Sequence, residues 1–132
     1  MSADADVIIA GAGMAGATLG LALNHAGLKV LLVDPQPFDA QTAPTFDGRA
    51  SAISFSAFRQ WRVLGAGERL APHAQRIEQI LVTDGRTPGA AAPPPLPAAL
   101  RFDAAEIADR SDGEPLGYLI ENRRIRAALA ET

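Results

Sequence analysis

The stretch VIIAGAGMAGATLG at residues 7–20 constrains the fold of this chain more than any other. A short β-branched run over 7–10 ends at a glycine, which is typical of a buried strand. Helix-forming residues follow over 14–26, and Gly27 stands where a C-terminal cap glycine belongs. A second apolar run over 29–33 stops at an aspartate followed by proline. This order predicts a parallel βαβ unit with a right-handed crossover.

The glycines of this stretch follow the pattern G-x-G-x-x-G directly after the predicted strand. In dinucleotide-binding folds Gly11 would allow the sharp turn, Gly13 would admit a pyrophosphate, and Gly16 would let the helix pack closely. The free N–H groups at the helix N-terminus attract phosphate. Asp34, after the second strand, is placed to accept hydrogen bonds from an adenosine ribose and to repel the extra phosphate of NADP. The stretch therefore predicts a dinucleotide site.

Two other interpretations of the stretch agree less well with the sequence. Residues 7–23 carry no charge, but the run is short for a membrane-spanning helix, which needs about 20 apolar residues, and it is interrupted by glycines. The residues before it are acidic, whereas a signal peptide begins with a positively charged region. The glycines could also serve only a structural helix start, with Asp34 as an exposed turn residue. The agreement of strand, glycines, helix and acid favours the dinucleotide site.

The composition fits one modest domain and excludes several functions. The 132 residues carry a formal net charge of −3, which argues against nucleic acid as a partner. Cysteine is absent, which excludes disulfides, thiolate catalysis and Cys-bound zinc. The two histidines, His25 and His73, form no zinc-binding pair on one helix. The sequence therefore predicts no metal site, and no pair of its side chains requires a catalytic role.

The region after the second strand is predicted to be a loop followed by helix. Residues 35–50 contain several prolines and a glycine, which are typical of a long loop. Residues 50–64 are predicted to be helical, because Ile53, Ala57 and Trp61 recur on one helical face. Glycines end this helix, and a second short helix is expected to follow them.

The remainder is predicted to consist of short strands and turns before a final helix. Residues 77–83 should form a strand that pairs with a return strand over 100–107. The segment TPGAAAPPPLP at 87–97 cannot form regular structure, because proline lacks the backbone donor. We expect it to be the least ordered internal segment. A short strand over 117–120 leads into a helix over 121–131.

Two segments resemble the FAD-dependent aromatic-ring hydroxylases, and most closely the ubiquinone-biosynthesis hydroxylases of the 2-octaprenyl-6-methoxyphenol hydroxylase type. The first, residues 47–77, begins with Asp-Gly-Arg and continues with Ala-x-Ala-Ile-Ser. The second is LGYLIENRRIRAAL at 116–129. With the glycine motif, the resemblance covers nearly the whole chain. It implies an α/β fold: an incomplete Rossmann-like FAD/NAD(P)-binding βαβ domain with the first strands of a substrate-domain sheet.

The resemblance also implies which residues bind FAD. The glycines would hold the pyrophosphate and Asp34 the adenosine ribose. Arg49 would reach the pyrophosphate or ribityl region, and Asn122 would contact the cofactor from the start of the last helix. The predicted cofactor-binding residues are Gly11, Gly13, Met14, Ala15, Gly16, Asp34, Arg49 and Asn122. Two alternatives stay open: Arg49 could be a solvated loop arginine, and Asn122 could be only a helix N-cap.

The other prominent side chains are predicted to be structural. Arg123, Arg124 and Arg126 would form an exposed basic face of the last helix rather than a nucleic-acid site. Three aromatic residues are expected in the core: Phe58, Trp61 and Tyr118.

By the same resemblance, residues 1–76 would form the FAD-binding βαβ portion with its following helices. Residues 77–116 would begin the substrate domain, and residues 117–132 would return to the FAD-binding part. The intact enzyme would use NAD(P)H and O2 to hydroxylate a polyprenylated phenol in ubiquinone biosynthesis. Such a lipid substrate implies contact with a membrane surface, although these residues contain no predicted spanning segment. The enzyme is expected to be cytoplasmic and peripheral to the membrane.

The family has two later cofactor-binding motifs, one built on Asp-Gly and one on Gly-Asp, and neither is found in these 132 residues. The chain is therefore expected to correspond to the N-terminal portion of such an enzyme. By itself it is expected to be inactive and to self-associate. The alternative function is a stand-alone NAD- or FAD-binding Rossmann module with a regulatory or structural role. A visible spectrum separates bound FAD, which is yellow, from bound NAD.

Overall fold

The computed structural model describes residues 4–43, 45–82, 100–107 and 113–132. The proline-rich segment 87–97, expected to be the least ordered, lies outside these residues. Among the helices of the described ranges, none is long and apolar enough to cross a membrane.

The described residues form strands and short helices that alternate along the chain. Their order is β1 (Val7–Ala10), α1 (Met14–His25), β2 (Val30–Val33), α2 (Phe38–Gln41), β3 (Ala50–Ser54), α3 (Phe55–Val63), α4 (Gly67–Leu70), β4 (Gln75–Ile77), β5 (Gln79–Val82), β6 (Leu100–Asp103), β7 (Gly117–Glu121) and α5 (Asn122–Ala130).

The predicted βαβ unit is present. Strands β1 and β2 pair in parallel, with Val7 opposite Val30 and Ala10 opposite Val33, and α1 connects them. The unit forms because a β-branched run precedes the glycine turn and a second apolar run follows the helix. The α/β fold class expected from the sequence is therefore confirmed. The predicted loop after β2 contains one further element, the single-turn helix α2.

The helix predicted over residues 50–64 is wrong in its first part. Residues Ala50–Ser54 form strand β3, and the helix α3 begins only at Phe55. The five residues Ala-Ser-Ala-Ile-Ser alternate between exposed and partly buried positions, as a strand requires, and they pair antiparallel with β7. The Ser54 side chain then accepts a hydrogen bond from the Ala57 N–H and caps the helix. Pairing with a distant strand thus overrides the local helical pattern.

The strand predicted over 77–83 is divided between two sheets. Strand β4 ends at Ile77 and pairs with β7, which lies between β3 and β4 in a three-stranded antiparallel sheet. Strand β5 pairs with β6, with Ile80 opposite Phe102, so the predicted pairing is present. The return strand is shorter than predicted, because it ends at Asp103 and residues Ala104–Glu106 form a single 3-10 turn whose N-terminus is capped by the Asp103 side chain. Glu78 lies between β4 and β5 and is the point at which the chain passes from one sheet to the other.

The hydrophobic core lies where α3 and α5 pack on β7 and α4 packs against both helices. Its larger members are Phe55, Phe58, Trp61, Leu70, Tyr118, Ile120, Ile125 and Leu129. The three aromatic residues predicted for the core are confirmed, and the Phe58 and Tyr118 ring centroids lie 4.2 Å apart. Helix α1 packs against this core through Met14, Ala17 and Leu21. The core therefore supports the helix that follows the glycine turn.

Candidate functional site

The three glycines of the motif have three different environments. Gly11 adopts φ +104°, a conformation that L side chains rarely adopt. A Cβ on Gly16 would lie 1.8 Å from the Gly11 carbonyl oxygen, so only glycine allows α1 to approach the turn this closely. Within the part of the chain that the structure describes, no atom would lie within 4 Å of a Cβ on Gly13. Neither packing nor backbone strain explains Gly13, which instead leaves open space beside the turn.

The first turn of α1 presents backbone donors toward this open space. The first intrahelical bond runs from the Ala17 N–H to the Gly13 carbonyl oxygen, at 2.8 Å. The N–H groups of Met14, Ala15 and Gly16 therefore have no acceptor within the helix. These donors and the helix dipole make the turn favourable for an anion.

Asp34 follows β2 and is anchored to the glycine turn. Its Oδ2 accepts the Ala12 N–H at 2.8 Å, and its Oδ1 accepts the Gln36 N–H at 2.9 Å. The backbone N–H groups of Gln36 and Ala12 hold the pKa of the Asp34 carboxyl below its ordinary value. Asp34 is therefore an ionised acceptor fixed beside the turn rather than a free turn residue.

Two adjoining cavities open on the glycine turn. The larger, about 700 Å³, is lined by Gly13, Met14, Asp34, Arg49 and Asn122. These five predicted residues come from four separate segments of the chain, and the fold brings them to one surface. The second cavity, of about 580 Å³, shares the first three of them and continues between α1 and β2. Gly11, Ala15 and Gly16 belong to the same turn but do not line either cavity.

Arg49 is held at the mouth of the larger cavity. Its Nη2 and Nε donate to Asp47 Oδ2 at 2.9 and 3.2 Å, and its side chain is 67% exposed. Its carbonyl oxygen accepts the backbone N–H of Asn122 at 3.0 Å. The guanidinium is thus solvated, as the alternative prediction has it, but it is also oriented by a carboxylate.

Asn122 is the first residue of α5 and is buried, with 8% of its surface exposed. Its Oδ1 accepts the Ser51 hydroxyl at 2.6 Å, which ties α5 to β3. The N-cap position of α5 is occupied by Glu121, so the alternative that Asn122 is only an N-cap is wrong. A buried amide that lines a cavity and is positioned by a neighbouring side chain is suited to ligand contact.

The prediction of one exposed basic face on α5 is wrong for two of its three arginines. Arg126 is only 21% exposed, and its Nη2 donates to Asp47 Oδ2 at 3.0 Å. Arg123 is half-buried, donates to Glu121, and lies over the Phe46 ring. Only Arg124 is exposed as expected. Asp47 and Phe46 could not be recognised as partners from the local sequence, since both lie far from α5 along the chain.

Asp47 lines the larger cavity but is absent from the residues predicted for the site, although it is the first residue of the Asp-Gly-Arg motif. Hydrogen bonds from Arg126 and Arg49 lower its pKa to about 2, so it is ionised at neutral pH. Arg126 lines the same cavity, and the sequence does contain a sign of this. Arg126 lies one helical turn after Asn122, and residues at that spacing share a helix face.

Comparison with known protein families decides between the cofactors that a βαβ unit can bind. The profile of the FAD-binding domain family matches residues 4–124, which is nearly all of the chain. The chain belongs to this family. FAD as the cofactor and the resemblance to FAD-dependent hydroxylases, both expected from the sequence, are confirmed.

The FAD-binding domain also has curated relatives. It is 35% identical to ubiquinone hydroxylase UbiL of Rhodospirillum rubrum over 125 residues, which cover 95% of this chain and 26% of the relative. It is 29% identical to ubiquinone hydroxylase UbiM of Neisseria meningitidis, over 99% of this chain and 27% of the relative. The FAD-binding domain thus spans about a quarter of the length of these curated relatives.

Among solved structures, peptidyl tryptophan dihydroxylase QhpG aligns with 98% of the FAD-binding domain and 23% of its own chain. The sequence identity is 18% and the TM-score is 0.49, so this likeness is too distant to bear on function.

Proposed function

We propose that this chain is the FAD-binding segment of a flavoprotein monooxygenase that hydroxylates a polyprenylated phenol in ubiquinone biosynthesis with NAD(P)H and O2. The observation that carries the proposal is the cavity where the glycine turn, Asp34, Arg49 and Asn122 meet. Membership of the FAD-binding domain family and the names of the two relatives support it.

The glycine turn fits the pyrophosphate of FAD. The open space beside Gly13 can receive a phosphate that any side chain there would exclude. The N–H groups of Met14, Ala15 and Gly16 supply donors, and the N-terminal end of α1 supplies partial positive charge. Gly11 and Gly16 contribute indirectly, because they allow the turn and the close packing that place those donors.

Asp34 fits the adenosine ribose. Each of its carboxylate oxygens already accepts one backbone N–H, and each keeps a second lone-pair site. Two ribose hydroxyls can therefore donate to a carboxylate whose position is already fixed. Its lowered pKa keeps it charged, which strengthens hydrogen bonds from neutral donors.

Arg49 and Asn122 would bind the flavin half of the cofactor. Asp47 engages Nε and Nη2 of Arg49, so the Nη1 group can still donate toward the cavity. Asn122 lines the same cavity from the start of α5, and its Oδ1 is already fixed by Ser51. The opposite charge of guanidinium and pyrophosphate favours a position of Arg49 near the phosphates or the ribityl chain.

In this proposal, different segments of the chain bind the cofactor and begin the substrate-binding part. Residues 1–76 and 117–132 hold FAD, and residues 77–116 begin the substrate-binding part. The antiparallel pairing of β7 between β3 and β4 supports the return of the chain to the cofactor side. The enzyme would be cytoplasmic and, since its substrate carries a lipid tail, would contact a membrane surface.

When bound, FAD would supply the redox chemistry, taking hydride from NAD(P)H and using O2 to hydroxylate the ring. The residues of this chain bind and orient the cofactor: the turn fixes the phosphates, Asp34 fixes the ribose, and Arg49 and Asn122 fix the flavin side. Proximity and fixed orientation are what a protein contributes to such a reaction.

The test is made on the full-length protein. Its visible spectrum and the flavin released on denaturation should show FAD, and NAD(P)H oxidation with a polyprenylated phenol should give a product heavier by one oxygen. Bound NAD without flavin, and no hydroxylated product, would contradict the proposal and favour a stand-alone dinucleotide-binding module.

A further inference from the structure

We propose that Arg126 is a positioning residue that sets the position of Arg49 at the FAD site by holding Asp47. The inference rests on the proposed function, since it concerns how the cofactor-facing arginine is held. It extends that function to a side chain on α5 that the sequence assigns to an exposed face.

The Arg126 guanidinium makes two hydrogen bonds to other segments of the chain. Its Nη2 donates to Asp47 Oδ2 at 3.0 Å, and its Nε donates to the Gln41 carbonyl oxygen, at the end of α2, at 2.8 Å. The planar guanidinium can make both contacts at once because its donors form a rigid fork. Arg126 thus ties α5 both to α2 and to the segment that carries Asp47.

Asp47 connects Arg126 to Arg49 through hydrogen bonds. Its Oδ2 accepts from both arginines, and its Oδ1 accepts the Arg49 backbone N–H at 3.2 Å. The Arg49 side chain is 67% exposed, whereas those of Asp47 and Arg126 are 25% and 21% exposed. An exposed ion pair alone holds its geometry weakly, because side-chain entropy and solvent oppose it. The more buried pair therefore fixes the carboxylate on which Arg49 depends.

A second contact from α5 reaches the Arg49 main chain. The Asn122 N–H donates to the Arg49 carbonyl oxygen at 3.0 Å, one helical turn before Arg126. One face of α5 thus fixes the backbone of Arg49 through Asn122 and its side chain through Arg126 and Asp47. Helix α5 therefore holds both residues that would bind the flavin half of FAD, Arg49 and Asn122.

The test measures FAD affinity of the full-length apoprotein by equilibrium dialysis. We expect Arg126→Gln to raise the dissociation constant about five- to tenfold, because Arg49 loses its fixed partner. Arg124→Gln removes the same charge from an exposed position of the same helix and should leave the affinity unchanged. An Arg126→Gln protein with wild-type affinity would overturn the inference.

A double-mutant cycle separates positioning from direct contact. If Arg126 acts through Arg49, then adding Arg126→Gln to Arg49→Gln should change the dissociation constant by less than about twofold. Additive losses would overturn the inference, and would mean that Arg126, which also lines the cavity, binds the anion itself or supports the fold generally.

Circular dichroism and thermal melting establish that each variant folds. If Arg126→Gln does not fold, Arg126→Lys decides instead: it keeps the charge but lacks the two-pronged geometry, so FAD affinity should fall and wild-type affinity would overturn the inference. Absence of FAD binding by the wild-type protein is a different result, because it contradicts the proposed function and not the role of Arg126.

Discussion

Asp34 and Ala12 are joined across the βαβ unit: the Ala12 N–H donates to Asp34 Oδ2 at 2.8 Å. The acid at the end of β2 thus holds the turn that leads into α1. In the proposed complex the same carboxylate would accept ribose hydroxyls, so the adenosine and pyrophosphate positions would be fixed relative to each other. Asp34 is therefore part of the protein's own architecture and, in the proposed complex, would also be a ligand contact.

This double role predicts graded effects of substitution. Asp34→Ala should weaken FAD binding about 10- to 100-fold, because it removes charged acceptors for the ribose and the anchor of the turn. Asp34→Asn should weaken it less, since its amide oxygen can still accept the Ala12 N–H. Asp39→Asn, on the exposed face of α2, serves as the control. Titration of the apoprotein with FAD measures each constant, and an unchanged constant for Asp34→Ala would contradict the assignment.

Gly16→Ala should destabilise the fold itself. The new Cβ would lie 1.8 Å from the Gly11 carbonyl oxygen, so α1 must move away from the turn. Overpacking of this kind costs about 1–3 kcal/mol. Gly20→Ala is the matched control on the same helix, because its Cβ would meet Leu32 at an ordinary 3.5 Å. Urea unfolding compares the two variants, and equal stability of Gly16→Ala and wild type would show that the close contact is not needed.

The contribution of Asp47 to the stability of the fold should decrease at acid pH. Its pKa in the folded protein is about 2, below its ordinary 3.8, so the ionised form is favoured by folding. The stabilisation is complete above 3.8 and is lost as the pH falls through about 2. We expect the difference in unfolding midpoint between wild type and Asp47→Asn to shrink across this window. A difference that stays constant across it would mean that the two arginines do not act through the charge of Asp47.

The 132-residue chain expressed by itself should self-associate and bind FAD weakly. Ile8, Leu31 and Val33 lie on one face of the β1–β2 pair, and 68, 50 and 52% of their surfaces are exposed. Exposed apolar patches promote association. Leu31→Thr with Val33→Thr should lower the mass measured by light scattering. A monomeric wild-type chain would contradict this prediction.

Local sequence pattern was sufficient for the βαβ unit, because its strands, turn and helix follow one another within a short stretch and the glycines have specific steric roles. It failed at Ala50–Ser54, where a helical repeat of apolar residues coincides with a strand whose partner, β7, lies far along the chain. It failed again at Arg126, whose partners Asp47 and Gln41 are brought near by tertiary packing. The Asp-Gly-Arg motif was recognised, but the hydrogen bonds by which its aspartate, Asp47, orients Arg49 are visible only in the structure.

The most direct test of FAD binding at the glycine turn is the flavin content of purified full-length Gly13→Val. The wild-type protein should carry about one FAD per chain. The variant should fold, because no atom of the described residues lies within 4 Å of the added Cβ. It should nevertheless purify without flavin, because the side chain occupies the space for the pyrophosphate. A folded Gly13→Val protein that keeps a full complement of FAD would contradict the account.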